Sequence, residues 1–180
     1  RLLALNLFSY VDHPFTPEAK FDFAKFREHV GKAMHMMDDI IDLELEKVEL
    51  IIEKIAADPE DEDVRHVELE LWKKIRTMAR KGRRTGLGIT AEGDMLAALG
   101  LRYGSQEAID FAVEVQKTLA VEAYRASVKM AAERGAFPIY DAAKEKSNPM
   151  IARIREADPA LYEEMCRVGR RNIAMLTIAP

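Results

Sequence analysis

The residues best suited to chemistry in this 180-residue chain lie within residues 82–100. Arg83 and Arg84 lead into a short apolar run that contains Gly86 and Gly88, and a helix start follows. The turn after this run could present backbone N–H groups to an anion. However, the stretch lacks the third glycine of a dinucleotide-binding fingerprint and the Lys-Ser/Thr pair of a P-loop. We therefore interpret the glycines as positions where a second backbone segment packs closely.

The last apolar run of the chain, residues 172–180, is the second candidate region. Its composition predicts a buried strand over residues 172–178, followed by the start of a loop. In parallel α/β folds, ligands gather in the loops at the carboxyl ends of the strands. We therefore expect any ligand site in this region to lie at the end of the run.

Metal ligation is poorly supported by the sequence. An iron or manganese bundle needs Glu-x-x-His pairs on facing helices, and the nearest match is a single Asp63-x-x-His66. Three carboxylates on one predicted helix, Asp38, Asp39 and Asp42, could bind a cation, but a solvated helix face is the better interpretation. We predict no metal site and keep a di-metal bundle as a third hypothesis.

The chain has a single cysteine, Cys166, which excludes an internal disulfide and a Cys-x-x-Cys metal site. Its predicted helix offers only Arg167 and Arg170 as basic partners, so we predict a buried structural cysteine and no catalytic nucleophile. Cysteine usage this low favours a reducing compartment, and we expect a cytoplasmic protein.

The overall composition is that of an ordinary globular chain with one domain-sized core. Hydrophobic residues make up 48%, charged residues 32%, and the net charge is −4 with a pI of about 5.7. These values give no indication of a nucleic-acid-binding face. No apolar run approaches the roughly 20 residues that a membrane-spanning helix needs, so we expect no membrane partner.

The elements that must position these residues are mainly helices. Apolar periodicity and capping signals predict helices over residues 23–56, 63–80, 92–99 and 106–134, and two short ones after Asn148 and Asp158. Gly82 is predicted at the C-cap of the second helix and Thr90 at the N-cap of the third. Ser105 is predicted to cap the start of the fourth helix and Gly135 its end. Three short apolar strands, over residues 2–11, 85–89 and 172–178, are joined by long crossovers, which favours parallel pairing. The first is predicted to be buried on both faces, because its apolar run is nearly continuous.

Five segments, taken together and in order, resemble the catalytic subunit of ribonucleotide reductase, and best its adenosylcobalamin-dependent class. The most specific is RRTGLG at residues 83–88 together with DMLAALG at 94–100. The others are LNL at 5–7, MDDIID at 37–42, ERGAFP at 133–138 and RRNIAMLTIAP at 170–180. The sequence departs from the family at residues 91–94, where Gly-Leu-Ala-Asp is usual, and in an unusually long helical stretch over residues 43–80.

The resemblance implies a fold, a reaction and a set of partners. The fold is a ten-stranded α/β barrel around a finger loop that carries a radical cysteine. In the reaction, hydrogen replaces the ribose 2′-hydroxyl of a ribonucleotide through a thiyl radical that adenosylcobalamin generates. Two further cysteines supply electrons, and a thioredoxin-like reductant restores them. The resemblance is compatible with a homo-oligomer but does not require one.

The same resemblance assigns this chain a part of that barrel without its catalytic groups. Residues 1–180 are expected to form one segment of the barrel domain that is truncated at both ends, with the catalytic Asn-x-Cys-x-Glu segment before Arg1. No catalytic residue is assigned within the chain. Pro180 is expected near the substrate phosphate, with Ala179 and Thr177 as weaker candidates. The segment alone is predicted to be inactive.

A rival interpretation from another class treats the chain as a free-standing helical interaction module. In that case the long amphipathic helices would form a dimer face. The apolar runs at both ends of the chain argue against it, because an independent module has no reason to leave strand edges exposed.

Overall fold

The computed structural model describes residues 1–178, so Ala179 and Pro180 lie outside the described residues. The chain is mainly helical with a few short strands, as predicted. The strands are β1 Leu2–Asn6, β2 Val11–Asp12, β3 Lys20–Phe21 and β4 Gly86–Thr90. The helices are α1 Phe23–Ala56, α2 Glu62–Gly82, α3 Glu92–Ala98, α4 Gln106–Arg134, α5 Ala142–Glu145, α6 Pro149–Ala157 and α7 Pro159–Val168.

The central feature is a parallel arrangement of three chain segments. β1 pairs with β4 in parallel, in a register that runs from Leu2 opposite Gly86 to Asn6 opposite Thr90. On the other side of β4, residues 173–177, which we call the C-terminal segment, run parallel to it with a bridge between Leu87 and Leu176. The Leu87 amide donates to the Met175 carbonyl at 2.7 Å, and the Thr177 amide donates to the Leu87 carbonyl at 3.0 Å. The prediction of parallel pairing is confirmed.

The first predicted strand is shorter than expected. The prediction covered residues 2–11 and treated both faces as buried, but β1 ends at Asn6 and alternates between exposed and half-buried residues, with Leu2 72% exposed. A 3₁₀ turn follows at Leu7–Tyr10, because the Asn6 side chain accepts a hydrogen bond from the Phe8 amide at 3.1 Å. β2 then pairs with β3 in a small antiparallel ribbon.

Helix bounds agree closely with the predictions, whereas two predicted caps are wrong. α1 has the predicted bounds, and Ser105 caps α4 through the Ala108 amide as expected. Gly82 is the last residue of α2, and the left-handed residue that ends the helix is Arg83, with φ of 45°. The residue before α3 is Ala91, also left-handed, with no side-chain cap, so Thr90 remains in β4.

The core forms where α1 and α4 pack against each other and against the sheet. α6 and α7 cover α4, and α3 packs on the 3₁₀ turn. Large side chains from all of these elements are fully buried, among them Leu7, Phe26, Met34, Met37, Ile41, Leu87, Met95, Met130, Ile151 and Met165. This core fixes the three parallel segments relative to the helices.

The glycines of β4 allow that strand to sit closely between its neighbours. A methyl group on Gly88 would collide with the Thr177 carbonyl, and one on Gly86 would lie 2.8 Å from Leu2 Cδ2. The interpretation of these glycines as close-packing positions is confirmed.

We expect Gly88→Ala to lower the free energy of unfolding by about 1–3 kcal/mol, because the added methyl group meets backbone that cannot rotate away. Gly93→Ala is the matched control, since no atom lies within 4 Å of its added methyl group. Urea unfolding followed by circular dichroism measures both. Equal stabilities of the two variants would contradict the close packing of β4 on the C-terminal segment.

Candidate functional site

The carboxyl ends of the parallel segments meet at one edge of the sheet. Asn6 and Thr90 are register partners at the ends of β1 and β4. Thr177 lies beside Gly88, half-buried, at the end of the C-terminal segment. Because the Thr177 amide already donates to Leu87, its hydroxyl is the group left to donate to a ligand. The other two predicted site residues, Ala179 and Pro180, lie outside the described residues.

A groove of about 940 Å³ adjoins this edge. It runs between α4 and α6, and Leu176, Thr177 and Ile178 form one of its sides. Most of its lining is apolar, and its polar side chains besides Thr177 are Gln116, Lys117, Arg153 and Glu156. The groove therefore offers an apolar contact surface with two cations beside the predicted ligand site.

At the opposite, amino ends of β4 and the C-terminal segment lies a buried polar cluster centred on Asp38 of α1. Its side chain has no exposed surface. Arg83 Nε donates to Asp38 Oδ1 at 2.8 Å, and Asn172 Nδ2 donates to the same oxygen at 2.9 Å. Arg171 Nε donates to Asp38 Oδ2 at 3.2 Å. Three cationic or amide groups thus converge on one carboxylate.

The partners of Asp38 are themselves held in place. Arg83 makes a two-pronged contact with Asp42, with Nη1 to Oδ1 at 2.7 Å and Nη2 to Oδ2 at 3.0 Å. Asn172 Oδ1 accepts from the Ser127 hydroxyl at 2.9 Å, and the Asn172 amide donates to that hydroxyl oxygen at 3.1 Å. The cluster therefore joins α1, the end of α2, α4 and the two residues that lead into the C-terminal segment.

The charges of the cluster are mutually stabilised. Burial by itself would raise the pKa of the Asp38 carboxyl. The hydrogen bonds from Arg83 and Asn172 and the positive charges of Arg83 and Arg171 outweigh burial, so the pKa of Asp38 lies below its ordinary value. Burial likewise opposes the charge of Arg83, but Asp42 and Asp38 keep its pKa raised. Asp38 is therefore ionised at neutral pH.

The interpretation of the three aspartates as a solvated helix face is wrong for Asp38. Asp39 is exposed and pairs with Arg134 at 2.7 Å, whereas Asp42 is half-exposed and pairs with Arg83. The sequence did carry a signal, because Asp38 and Asp42 are four residues apart and Asp38 adjoins Met34, Met37 and Ile41 on the buried stripe. A carboxylate on that stripe requires a buried partner.

Cys166 is exposed on α7, so the prediction of a buried structural cysteine is wrong. It occupies the outer face of the helix, one residue beyond the fully buried Met165. The nearby Cys166 side chain raises the pKa of the Tyr162 hydroxyl, which therefore stays protonated at neutral pH. Neither side chain lines the groove or the sheet edge.

Groups of metal ligands and membrane-spanning helices are both absent from residues 1–178. Within that range, no three His, Cys, Asp or Glu side chains are grouped so that they could hold a metal ion. In the same range, none of the helices has the length and apolar character required to cross a membrane.

The architecture defines a class: a parallel α/β unit whose strands end together at one edge, where ligands of such folds bind. The model of the family described as "Ribonucleotide reductase, barrel domain" matches residues 1–180. The chain therefore belongs to the ribonucleotide reductase barrel-domain family.

Individual relatives agree with the family match. The chain is 32% identical over 137 residues to a vitamin B12-dependent ribonucleoside-diphosphate reductase of Thermoplasma acidophilum, covering 76% of this chain and 14% of that protein. It is 30% identical over 133 residues to the protein of that name from Mycobacterium tuberculosis, covering 73% of this chain and 16% of that protein. The chain thus spans about one sixth of the length of these curated relatives.

We expect Asp38→Asn to lower the free energy of unfolding by about 3–5 kcal/mol, since it leaves the buried Arg83 and the half-buried Arg171 short of negative charge. Asp39→Asn is the matched control, and its exposed pair with Arg134 should contribute at most about 1 kcal/mol. Urea unfolding at pH 7 measures both values. A similar small loss in the two variants would show that the cluster does not stabilise the fold.

The stability difference between the original chain and Asp38→Asn should depend on pH. The folded pKa of Asp38 is lowered, so its contribution is complete above the unfolded value of about 3.9 and is lost as the pH falls through the folded pKa. Urea midpoints at pH 6 and pH 3 should show a wide gap that narrows in acid. A gap that widens in acid would mean that Asp38 is protonated in the folded state.

Proposed function

We propose that the chain forms part of the barrel wall of a ribonucleotide reductase, in one segment that covers residues 1–180. The parent protein would be a ten-stranded α/β barrel. The observation that supports this is the parallel order of β1, β4 and the C-terminal segment, whose outer edges are open to further strands. The exposed Leu2 side chain on β1 and the apolar groove beside the C-terminal segment are surfaces that such neighbours would cover.

The parent activity that we propose is reduction of a ribonucleotide to a deoxyribonucleotide for DNA synthesis, with hydrogen replacing the 2′-hydroxyl. The names of the relatives support a ribonucleoside diphosphate as substrate and vitamin B12 as the source of the cofactor. Adenosylcobalamin would supply the radical that starts the reaction. A thioredoxin-like protein would return electrons to the parent enzyme. We also propose that the parent is cytoplasmic and that it can form a homo-oligomer.

The described residues do not provide a cofactor site or a catalytic set of their own. The single cysteine of the chain lies on the surface of α7, away from the sheet edge and the groove. Asp38 is engaged by Arg83, Arg171 and Asn172 at the amino ends of the strands, so it is not available to act as a catalytic acid or base. We therefore propose no catalytic residue here and place the cofactor and the radical cysteine elsewhere in the parent.

Binding of the substrate phosphate is the role we propose for the end of the C-terminal segment. Thr177 lies at the carboxyl edge, and its hydroxyl can donate a hydrogen bond to a phosphate oxygen. Pro180 and Ala179 follow directly in the sequence and would continue the same site. The supporting observation is that the Gly88 backbone packs against Thr177, which fixes the direction in which the chain leaves the sheet.

A second candidate function, a helical interaction module, is favoured by one observation. Several large apolar side chains of α1 and α2 are exposed, including Met36, Leu43, Leu50 and Leu71. Such a surface suits association with another helix. It can coexist with a reductase role, because it lies on the helical hairpin and not at the sheet edge.

The first experiment measures nucleotide reduction by the longer parent protein, with and without adenosylcobalamin. We expect cobalamin-dependent formation of deoxynucleotide by the parent and none by the 180-residue chain. Both proteins are assayed with ribonucleoside diphosphates and triphosphates and a dithiol reductant. Turnover by the 180-residue chain would contradict the assignment of a wall segment, and a parent without activity would contradict the reductase proposal.

In the active parent, we expect Thr177→Val to raise the KM for nucleotide by about 10- to 100-fold, the range that corresponds to a lost hydrogen bond to a charged group. Thr177→Ser retains the hydroxyl and should restore most of the affinity. Thr77→Val is the control, because that hydroxyl only donates to the Lys73 carbonyl on α2. An unchanged KM in Thr177→Val would remove Thr177 from the phosphate site.

A further inference from the structure

The outer face of α2 carries an apolar stripe without a partner in the described structure. The stripe consists of Val64, Val67, Leu71, Ile75 and Met78, spaced three or four residues apart along the helix. Val67 is 67% exposed and Met78 is 59% exposed. Within the described residues, α2 buries only Gly82. A helix with a regular apolar stripe in solvent is suited to pair with another helix.

A different flank of α2 attaches it to α1. Arg76 and Arg80 of α2 both bind Glu49 of α1, at 2.8 and 2.7 Å, and Trp72 is half-buried on the same side. The stripe is rotated away from these residues, because four of its five positions, 64, 67, 71 and 78, remain exposed, whereas positions 65, 69, 72 and 76 are half-buried. Its fifth member, Ile75, is half-buried. The contact with α1 therefore leaves the stripe open.

The charges of α2 are separated along its length. Its amino-terminal half and the preceding residue carry five acidic side chains, Asp61, Glu62, Asp63, Glu68 and Glu70, and one cation, Arg65, which donates to the Asp58 carbonyl. Residues 71–82 contain five cationic side chains and no acidic one. The charged residues beside the stripe, on the side away from α1, follow the same order: Asp63 and Glu70 come first, then Lys74 and Lys81. The spacings of seven, four and seven residues put these four side chains on one flank.

We propose that a second copy of this chain covers the stripe, with the two α2 helices antiparallel about a two-fold axis at Leu71. Val64 then faces Met78 of the second copy, and Val67 faces Ile75. In this arrangement the acidic half of each helix lies along the basic half of the other, with Asp63 close to Lys81 and Glu70 close to Lys74. A parallel pair would instead place like charges together.

This complementarity is the reason for choosing a second copy of the chain as the binding partner of the stripe. A two-fold interface uses the same patch on both partners, so the patch must be complementary to itself. The α2 stripe meets this condition, since its apolar positions are symmetric about Leu71 and its charges reverse sign across that point. The inference concerns residues 61–82 alone and does not rest on the proposed reductase activity.

Sedimentation equilibrium of the 180-residue chain measures the association directly. We expect a monomer–dimer equilibrium below about 100 μM, in the affinity range of weak specific pairs. Leu71→Glu should raise the dissociation constant at least about tenfold, because it buries two like charges at the axis. Val113→Glu is the control, since Val113 is similarly exposed, at 61%, but lies on α4 in the groove.

Circular dichroism must show the same helix content in both variants. A monomeric chain at that concentration overturns the proposal. Association that Val113→Glu abolishes and Leu71→Glu leaves intact also overturns it, because the groove or the open strands would then be the interface.

Disulfide trapping tests the direction of the two helices. In a Cys166→Ser background, a mixture of Asp63→Cys and Lys81→Cys chains should form a mixed disulfide dimer under mild oxidation. Asp63→Cys alone should give at least about tenfold less covalent dimer, since the two-fold axis places the two copies of position 63 at opposite ends of the pair. Efficient trapping of Asp63→Cys with itself would mean a parallel pair and would contradict the proposed interface.

Discussion

Asp38 lies in the middle of α1 with no exposed surface, and a carboxylate in that position is tolerated only when cations and hydrogen-bond donors surround it. Its partners are distant in sequence. Arg83 is 45 residues away, and Arg171 and Asn172 are more than 130 residues away. Because an unpaired ion at this site would cost several kcal/mol, the cluster forms only when α1, the start of β4 and the C-terminal segment are together. The order of the parallel segments depends on that requirement.

The placement of this cluster separates the two edges of the sheet. The buried charges gather at the amino ends of β4 and the C-terminal segment, where they hold the elements together. The carboxyl ends hold few charges and end in Asn6, Thr90 and Thr177. In parallel α/β proteins, the carboxyl edge binds ligands and the amino edge contributes stability. The polar residues of this chain are distributed in agreement with that rule, which is why we assign Asp38 to the fold and propose Thr177 for the ligand site.

Local patterns predicted the helices well because the signals are local. Apolar periodicity defined α1, and the Ser105 and Gly135 caps defined α4, since a cap depends on residues within one turn. The glycines of β4 correctly indicated a close neighbour. Gly82 failed as a cap because the bonds from Arg83 to Asp38 and Asp42 stabilise a left-handed arginine. Spacing placed Asp38 on the buried stripe of α1, but the identity of its partners and the exposure of Cys166 depend on long-range contacts that spacing alone does not contain.

The hairpin of α1 and α2 also shows the difference between what a local pattern predicts and what long-range contacts decide. Its sequence predicts an apolar face on α2 that should be covered, yet the fold places a different flank against α1. A helix that simply remains in solvent is best stabilised by acidic and basic side chains interspersed three or four residues apart. α2 instead has its acids in the amino-terminal half and, apart from Arg65, its bases in the carboxyl-terminal half. That arrangement complements the helix dipole of α2 itself. The charged side chains that flank the stripe follow the same order, so the charge separation is also present on the proposed pairing surface. A second α2 in the opposite direction accounts for both the uncovered stripe and the order of the charges.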